Sequence, residues 1–236
     1  MTWIWAIAAL AGGYLVGSIP FAYIIVRGVT GEDITAHGTG NVGAMNVRRT
    51  TGSWAWFVVA MVADALKGLL PSYVAKLAIT GDPLGAFLTP WGDTLATVDS
   101  VWYTNPAWWV PMLAVAGAVL GHNYSLYLAI KNRKFARTGK GLATGGGALI
   151  AYDWRYAVAV IVIGVAVIAI TRYMMAGQVA AALTLPAASL VLRSPDWPFA
   201  LAMGLLVYAA HHKRFVGLLQ GKEPRLYIDD RMGPRG

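Results

Sequence analysis

Long apolar runs separated by short polar segments recur along the whole chain. The first, "TWIWAIAALAGGYLVGSIPFAYIIV", predicts a helix over about residues 3–27. Further runs predict helices over about 54–79, 106–130, 141–152, 156–171, 177–192 and 198–219. About 20 apolar residues cross a bilayer, so the longer runs are single crossings, and the shorter ones imply tilt or thin packing. Small residues recur within them, as in "AIAALAGG", "AVAGAVLG" and "AAALTLPAAS". Helices in lipid need such residues to approach closely, and Gly12, Gly13 and Gly17 are expected at packing positions. The pattern reads as one all-helical integral membrane domain over 1–236, with about seven transmembrane helices and no internal repeat.

Composition agrees. The chain is 57% hydrophobic and only 13% charged, where soluble domains carry about 25% charged residues. The first run has no basic lead-in and no small-residue cleavage pattern, so it is expected to be a retained helix. There is no cysteine, which excludes disulfides and thiol chemistry. Four scattered histidines argue against a metal cage.

Charge sets the expected orientation. The loops after the first, third and fifth runs carry Arg48, Arg49, Lys131, Arg133, Lys134, Arg137, Lys140 and Arg172, and the tail from Lys213 to Arg235 is also basic. The opposite side has Arg155 and Arg193 but Asp82, Asp93, Asp99, Asp153 and Asp196. The positive-inside rule then places the N-terminus outside, and the basic loops and the C-terminus in the cytoplasm. The chain's net charge of +8, which comes largely from that face, attracts anionic membrane lipid rather than nucleic acid, because the bases lie between apolar spans. Trp91, Trp102, Tyr103, Trp108 and Trp109 on the outer side read as an interfacial aromatic belt.

Three polar elements share the basic face. "HGTGNVGAMNVRR" (37–49) combines Gly38, Gly40 and Gly43 with Thr39, Asn41, Asn46, Arg48 and Arg49. Glycines bring backbone amides close to a ligand, and forked guanidinium groups suit phosphate. "ARTGKGLATGGG" (136–147) joins Arg137 and Lys140 to a glycine-rich helix start, where amides and the helix dipole favour an anion. It is not a Walker A loop, since Gly141 follows Lys140 and no strand precedes it. "HHKRFVGLLQGKEPR" (211–225) closes the set. Together they suggest a pocket where two phosphate-bearing molecules meet at the membrane boundary. Asp64 and Lys67, one turn apart and about 15–20 Å along the second span, read as a structural buried pair. His122 in "GHN" is a further site candidate. A small-solute transporter is the alternative class, but it would line the middle of several spans with ionisable groups.

These motifs carry a family resemblance. "GSIPFAY" (17–23), "HGTGNVGAMNVRR" (37–49), "DALKGLLP" (64–71), "GHN" (121–123), "TGKGLAT" (138–144) and "HHKRFVGLLQGKE" (211–223) resemble, in order, those of the bacterial membrane glycerol-3-phosphate acyltransferases that use acyl phosphate. The resemblance implies a seven-helix bundle in the cell membrane with its active site facing the cytoplasm. It implies transfer of a fatty acyl group from acyl phosphate to glycerol 3-phosphate, giving 1-acylglycerol 3-phosphate (lysophosphatidic acid), with no metal, cofactor or coenzyme A. Carried over by motif, Thr39 and His211 are the catalytic candidates. Gly38, Gly40, Asn41, Asn46, Arg49, Gly139, Lys140, Gly141 and Arg214 are the phosphate-binding candidates. The chain departs from the family at Thr39 (Ser), Met45 (Thr), "FARTGKG" for Phe-Lys-Gly-Gly-Lys-Gly, and Arg214 (Asn). A relative that acylates another phosphorylated alcohol is therefore the alternative enzyme. Acyl chain length and oligomeric state are not legible.

Overall fold

The computed structural model describes residues 2–91, 93 and 109–223. The described residues form helices joined by turns, with no strand among them. In chain order these are α1 (Thr2–Gly17), α2 (Phe21–Thr30), α3 (Ala44–Thr51), α4 (Trp54–Thr80), α5 (Pro83–Leu88), α6 (Val110–Asn123), α7 (Leu126–Asn132), α8 (Leu142–Tyr152), α9 (Trp154–Thr171), α10 (Met174–Val191) and α11 (Trp197–Leu219). Five stretches are long and apolar enough to cross a membrane: Trp3–Thr30, Trp54–Thr80, Val110–Asn132, Trp154–Thr171 and Met174–Val191. Leu142–Tyr152 and Trp197–Ala209 are shorter apolar helices. Outward positions such as Val158, Ile161, Val162 and Val165 on α9 are exposed and apolar, as lipid contact requires. The first three residues of the expected third span, 106–108, and Trp102, Tyr103, Asp99, Arg225, Arg231 and Arg235 lie outside the described residues.

Two expected spans are broken rather than continuous. The first divides between α1 and α2 at Ser18–Pro20, where proline lacks an N–H and disfavours helical geometry in the residue before it. The third divides at Tyr124, and Ser125 starts α7 by accepting the Leu128 N–H. Breaks at membrane depth survive only if the freed backbone groups find partners. Here the two breaks supply each other. Ser125 Oγ donates to Ser18 O, and Leu126 N donates to Ser18 Oγ. Lys67 Nζ donates to Ile19 O at 2.7 Å. Its ion pair with Asp64 is present at 2.8 Å, fully buried, as the one-turn spacing implied.

Glycine spacing explains the tightest packing. On α1, a Cβ at Gly13 or Gly17 would collide with the backbone of Ala114 or Ala118 on α6. Gly117 and Gly121 of α6 return the contact against Leu10 and Tyr14. Gly12 is different: it has open space beyond it and is not a packing position. Gly68 of α4 and Gly147 of α8 are reciprocal in the same way, against Thr144 O and Ala65 O.

Two of the acids expected on the outer side, Asp153 and Asp196, are buried at the far end of α8. Asp196 accepts hydrogen bonds from Tyr152 and Tyr156, each at 2.6 Å. Asp153 pairs with Arg155 at 2.8 Å. Lys76 of α4, only 1% exposed, donates to Ala151 O, Tyr152 O and Thr89 O, and so caps the C-terminal carbonyls of α8. A carboxylate taken out of water needs its donors. Tyr152→Phe should therefore cost about 1.5–3 kcal/mol, read as a lower unfolding temperature of the purified protein in detergent. An unchanged unfolding temperature would show that Tyr156 alone satisfies Asp196.

Candidate active site

The first polar element folds around a buried side chain. Asp33 starts a short 3-10 turn by accepting the N–H and hydroxyl of Thr35. Burial pushes its carboxyl up, but the hydrogen bonds from Lys131 and Thr35 outweigh this and hold it at about 2. Lys131 of α7 reaches it at 2.7 Å, tying the loop to the far side of the second break. Asn46 is 2% exposed. Its amide donates to Ile34 O and His37 O at 3.2 and 3.0 Å, and its oxygen accepts the Thr39 N–H at 3.4 Å. The family carry-over put Asn46 on a phosphate, yet its donors are spent on holding the loop. Gly38 and Gly40 have φ of +54° and +69°, a region open to glycine at little cost. A Cβ at Gly38 would also overlap Asn46 Oδ1. The exposed Thr39 hydroxyl accepts the Asn41 N–H at 3.4 Å. Arg49 passes alongside Gly38, its Cδ 3.7 Å from where that Cβ would stand. Arg48 turns the other way and stacks on Trp54 at 4.0 Å.

The second element is locked to the first and to the end of α6. Val42 N donates to Thr138 O at 2.7 Å, so the two glycine-rich loops are hydrogen-bonded neighbours. Thr138 N donates to Asn123 O at 2.7 Å, and its hydroxyl donates to His122 O at 3.1 Å and accepts the Ser125 N–H at 3.2 Å. Arg137 Nε donates to Gly139 O at 3.0 Å. Gly139 is buried against the His122 ring. Gly141, at φ +74°, turns the chain into α8. Lys140 therefore stands at the start of that helix. Burial pulls its ammonium down to about 8, aided by the cations Arg214, Arg137 and Arg49 and opposed by Glu223.

The third element supplies a histidine and an ion pair. His211 on α11 is 3% exposed. Its Nδ1–H donates to Val207 O at 2.7 Å. A carbonyl only accepts, so this bond fixes the tautomer and leaves the Nε2 lone pair available. Nε2 makes no hydrogen bond with any described residue. Lys140, Arg137 and Arg214 lie within electrostatic reach of the ring. Arg214 grips Glu223 with both arms of its fork: Nε donates to Oε1 at 2.9 Å, and a terminal nitrogen donates to Oε2.

The fold thus gathers Arg49, Lys140, His211 and Arg214 into one basic cluster, with Arg137 and Glu223 beside them. In the first loop Thr39 is exposed, Asn41 and the two glycines are half-buried, and Asn46 is buried as scaffold. Sequence reasoning did not single out Thr138 or Glu223 by role. Both sit inside quoted motifs, but their work lies in contacts with distant segments.

Comparison with known proteins follows this geometry. The sequence profile of the family described as glycerol-3-phosphate acyltransferase matches residues 7–221. A glycerol-3-phosphate acyltransferase from Synechococcus sp. (strain JA-3-3Ab) is 36% identical over 226 residues, covering 95% of both chains. One from Thermus thermophilus is 33% identical, covering 94% of this chain and 95% of the relative. Among solved structures, PlsY, an integral membrane glycerol 3-phosphate acyltransferase, superposes in its glycerol 3-phosphate form with a TM-score of 0.72 at 27% identity, over 94% of this chain and 96% of that one. Its lysophosphatidic acid form gives 0.71 at 26% identity, over 94% and 95%. The motifs and the helical bundle agree with these matches: the chain is a multi-pass membrane protein of the glycerol-3-phosphate acyltransferase family.

Proposed function

We propose that this enzyme transfers a fatty acyl group from acyl phosphate to glycerol 3-phosphate at the cytoplasmic face of the cell membrane, in phospholipid synthesis. The observation that carries the reading is the convergence of Arg137, Lys140 and Arg214 on a buried histidine whose Nε2 is a free acceptor, with Arg49 beside Lys140. Two phosphate groups must be held close despite repulsion, and a wall of cations does that. Lys140 and Arg49 take the acceptor's phosphate. Arg214, oriented by Glu223, completes the positive wall where the family carries asparagine. The bundle crosses the membrane seven times, Leu142–Tyr152 and Trp197–Ala209 supplying the two short crossings, with the N-terminus outside and the C-terminus inside.

The donor is a mixed anhydride and already activated. The acceptor hydroxyl oxygen attacks the carbonyl carbon, and the carbon–oxygen bond to phosphate breaks. The hydroxyl proton passes to His211 Nε2 or to a phosphate oxygen, and inorganic phosphate leaves. The Thr39 hydroxyl and the Asn41 side-chain amide donate to the oxyanion or to phosphate. Catalysis is mainly positioning and charge stabilisation. A narrow apolar slot between α6, α8, α9, α10 and α11 is lined by Val119, Gly141, Leu149, Val160, Leu185 and Met203. It suits the fatty chain of the donor.

The test is purified protein in lipid nanodiscs with glycerol 3-phosphate and either acyl phosphate or acyl coenzyme A. Lysophosphatidic acid should form with acyl phosphate alone. Product formed only from the thioester would replace the donor, and product formed only on another phosphorylated alcohol would replace the acceptor. In the same assay Thr39→Ser should retain activity and Thr39→Val should lose most of it, since valine keeps the volume and removes the donor. An acyl-enzyme trapped with acyl phosphate alone would instead make Thr39 a covalent nucleophile.

A further inference from the structure

Beneath the basic site lies a buried charged cluster that the reaction scheme does not use. Asp64 and Lys67 face each other on α4, and the imidazole of His122 stands at the end of α6 with Nδ1 3.7 Å from Asp64 Oδ1. All three are buried, at 2%, 4% and 7% exposure. His122 Nδ1 makes no hydrogen bond at this distance. The other edge of the ring is the floor of the Lys140 loop: a Cβ at Gly139 would overlap Nε2 and Cδ2. The backbone of the same residue holds the loop from above, because His122 O accepts the Thr138 hydroxyl at 3.1 Å. Thr138 O in turn receives the Val42 N–H of the first loop at 2.7 Å. On the far side Lys67 donates to Ile19 O at the α1–α2 break.

We propose that Asp64, Lys67 and His122 are positioning residues for the acceptor phosphate: the ion pair fixes the imidazole, and the imidazole fixes the height of the loop that carries Lys140. This rests on the reading of Lys140 as the acceptor's cation. The ring cannot sink toward α4 because the Asp64–Lys67 pair fills that space, and the loop cannot sink because Gly139 lies flat on the ring. Gly139 is glycine because the imidazole occupies the place of its side chain. Removing the ring lets the loop drop without touching any group that contacts substrate. The donor's acyl chain, held in the slot between α6, α8, α9, α10 and α11, keeps its seat.

The test compares His122→Leu, whose branched side chain presents no flat face to Gly139, with His122→Asn, whose planar amide keeps a flat polar floor there. His122→Leu should raise the KM for glycerol 3-phosphate about ten- to hundredfold, leave the KM for acyl phosphate unchanged, and change kcat little. His122→Asn should recover most of the acceptor affinity. Equal loss for both substrates, or kinetic constants at wild-type values beside a lowered unfolding temperature, overturns the proposal. Should His122→Leu fail to fold, Thr138→Val against Thr138→Ser asks the same question from the loop side. The valine variant must show the acceptor-selective rise and the serine variant must not; any other result overturns the proposal. Stabilisation of the protein by inorganic phosphate is read alongside, since it needs no acyl transfer. Wild-type protein that binds phosphate but makes no lysophosphatidic acid would refute the reaction. Phosphate stabilisation that survives His122→Leu undiminished would refute the cluster.

Discussion

Replacing Lys140 with alanine should raise the KM for glycerol 3-phosphate by roughly 10- to 150-fold, the span of about 1.5–3 kcal/mol for a hydrogen bond to a charged group. The pH dependence should be equally diagnostic. Burial and the neighbouring cations hold the Lys140 ammonium at about 8 in the unliganded site. On the proposed reading the acceptor's phosphate pairs with the protonated form, so affinity should be full below that value and lost as pH rises through it. On the acid side the phosphate monoester becomes a dianion above about pH 6. Acceptor affinity should therefore plateau between the two and fall on the alkaline side. Lys140→Arg keeps the charge at all working pH. It should retain part of the acceptor affinity while abolishing the alkaline fall. Steady-state KM measured across the neutral and alkaline range for wild type and both variants checks this. An alkaline fall that persists unchanged in Lys140→Arg would assign the titration to another group.

The largest effect on folding should come from one added methyl group at Gly68 or Gly147. At each position the Cβ would enter a carbonyl oxygen of the facing helix, Thr144 on α8 or Ala65 on α4. Backbone cannot step aside as a flexible side chain does, so α4 and α8 would have to separate along their length. Overpacking a tight core costs about 1–3 kcal/mol and occasionally more, and a rigid backbone target puts these sites at the upper end. Gly68→Ala and Gly147→Ala should each give little folded protein in detergent. Gly12→Ala is the matched control: nothing stands within 4 Å of its added Cβ, and its unfolding temperature should match wild type. Equal behaviour of the three variants would show that the α4–α8 contact is not what sets stability. Because α8 begins at the Lys140 loop, a partly folded variant should also lose acceptor affinity.

Much of this protein is legible along the chain. Run length and hydropathy are local properties, so the helices over 54–79, 141–152 and 156–171 appear as α4, α8 and α9 within two residues at each end. One-turn spacing was enough to pair Asp64 with Lys67, because helical geometry puts them on one face. Motif order along the chain pointed to the family.

What tertiary structure decided is where each polar group spends its hydrogen bonds. Asn46 carries the same amide whether it meets a phosphate or holds a loop, and only the folded chain places Ile34 O and His37 O against it. Arg48 and Arg49 are adjacent and identical in type, yet the turn of α3 sends one to Trp54 and the other past Gly38. The paired breaks at Ser18 and Ser125 lie 107 positions apart, so neither segment by itself announces that it will interrupt its helix at the other's side. Asp196 is held by Tyr152 and Tyr156, partners 44 and 40 positions away that nothing near Asp196 in the chain announces. Local sequence sets which segments are helical and lipid-facing, because transfer to lipid is additive over neighbouring residues. Site geometry depends on pairings between remote segments, and those exist only once the helices pack.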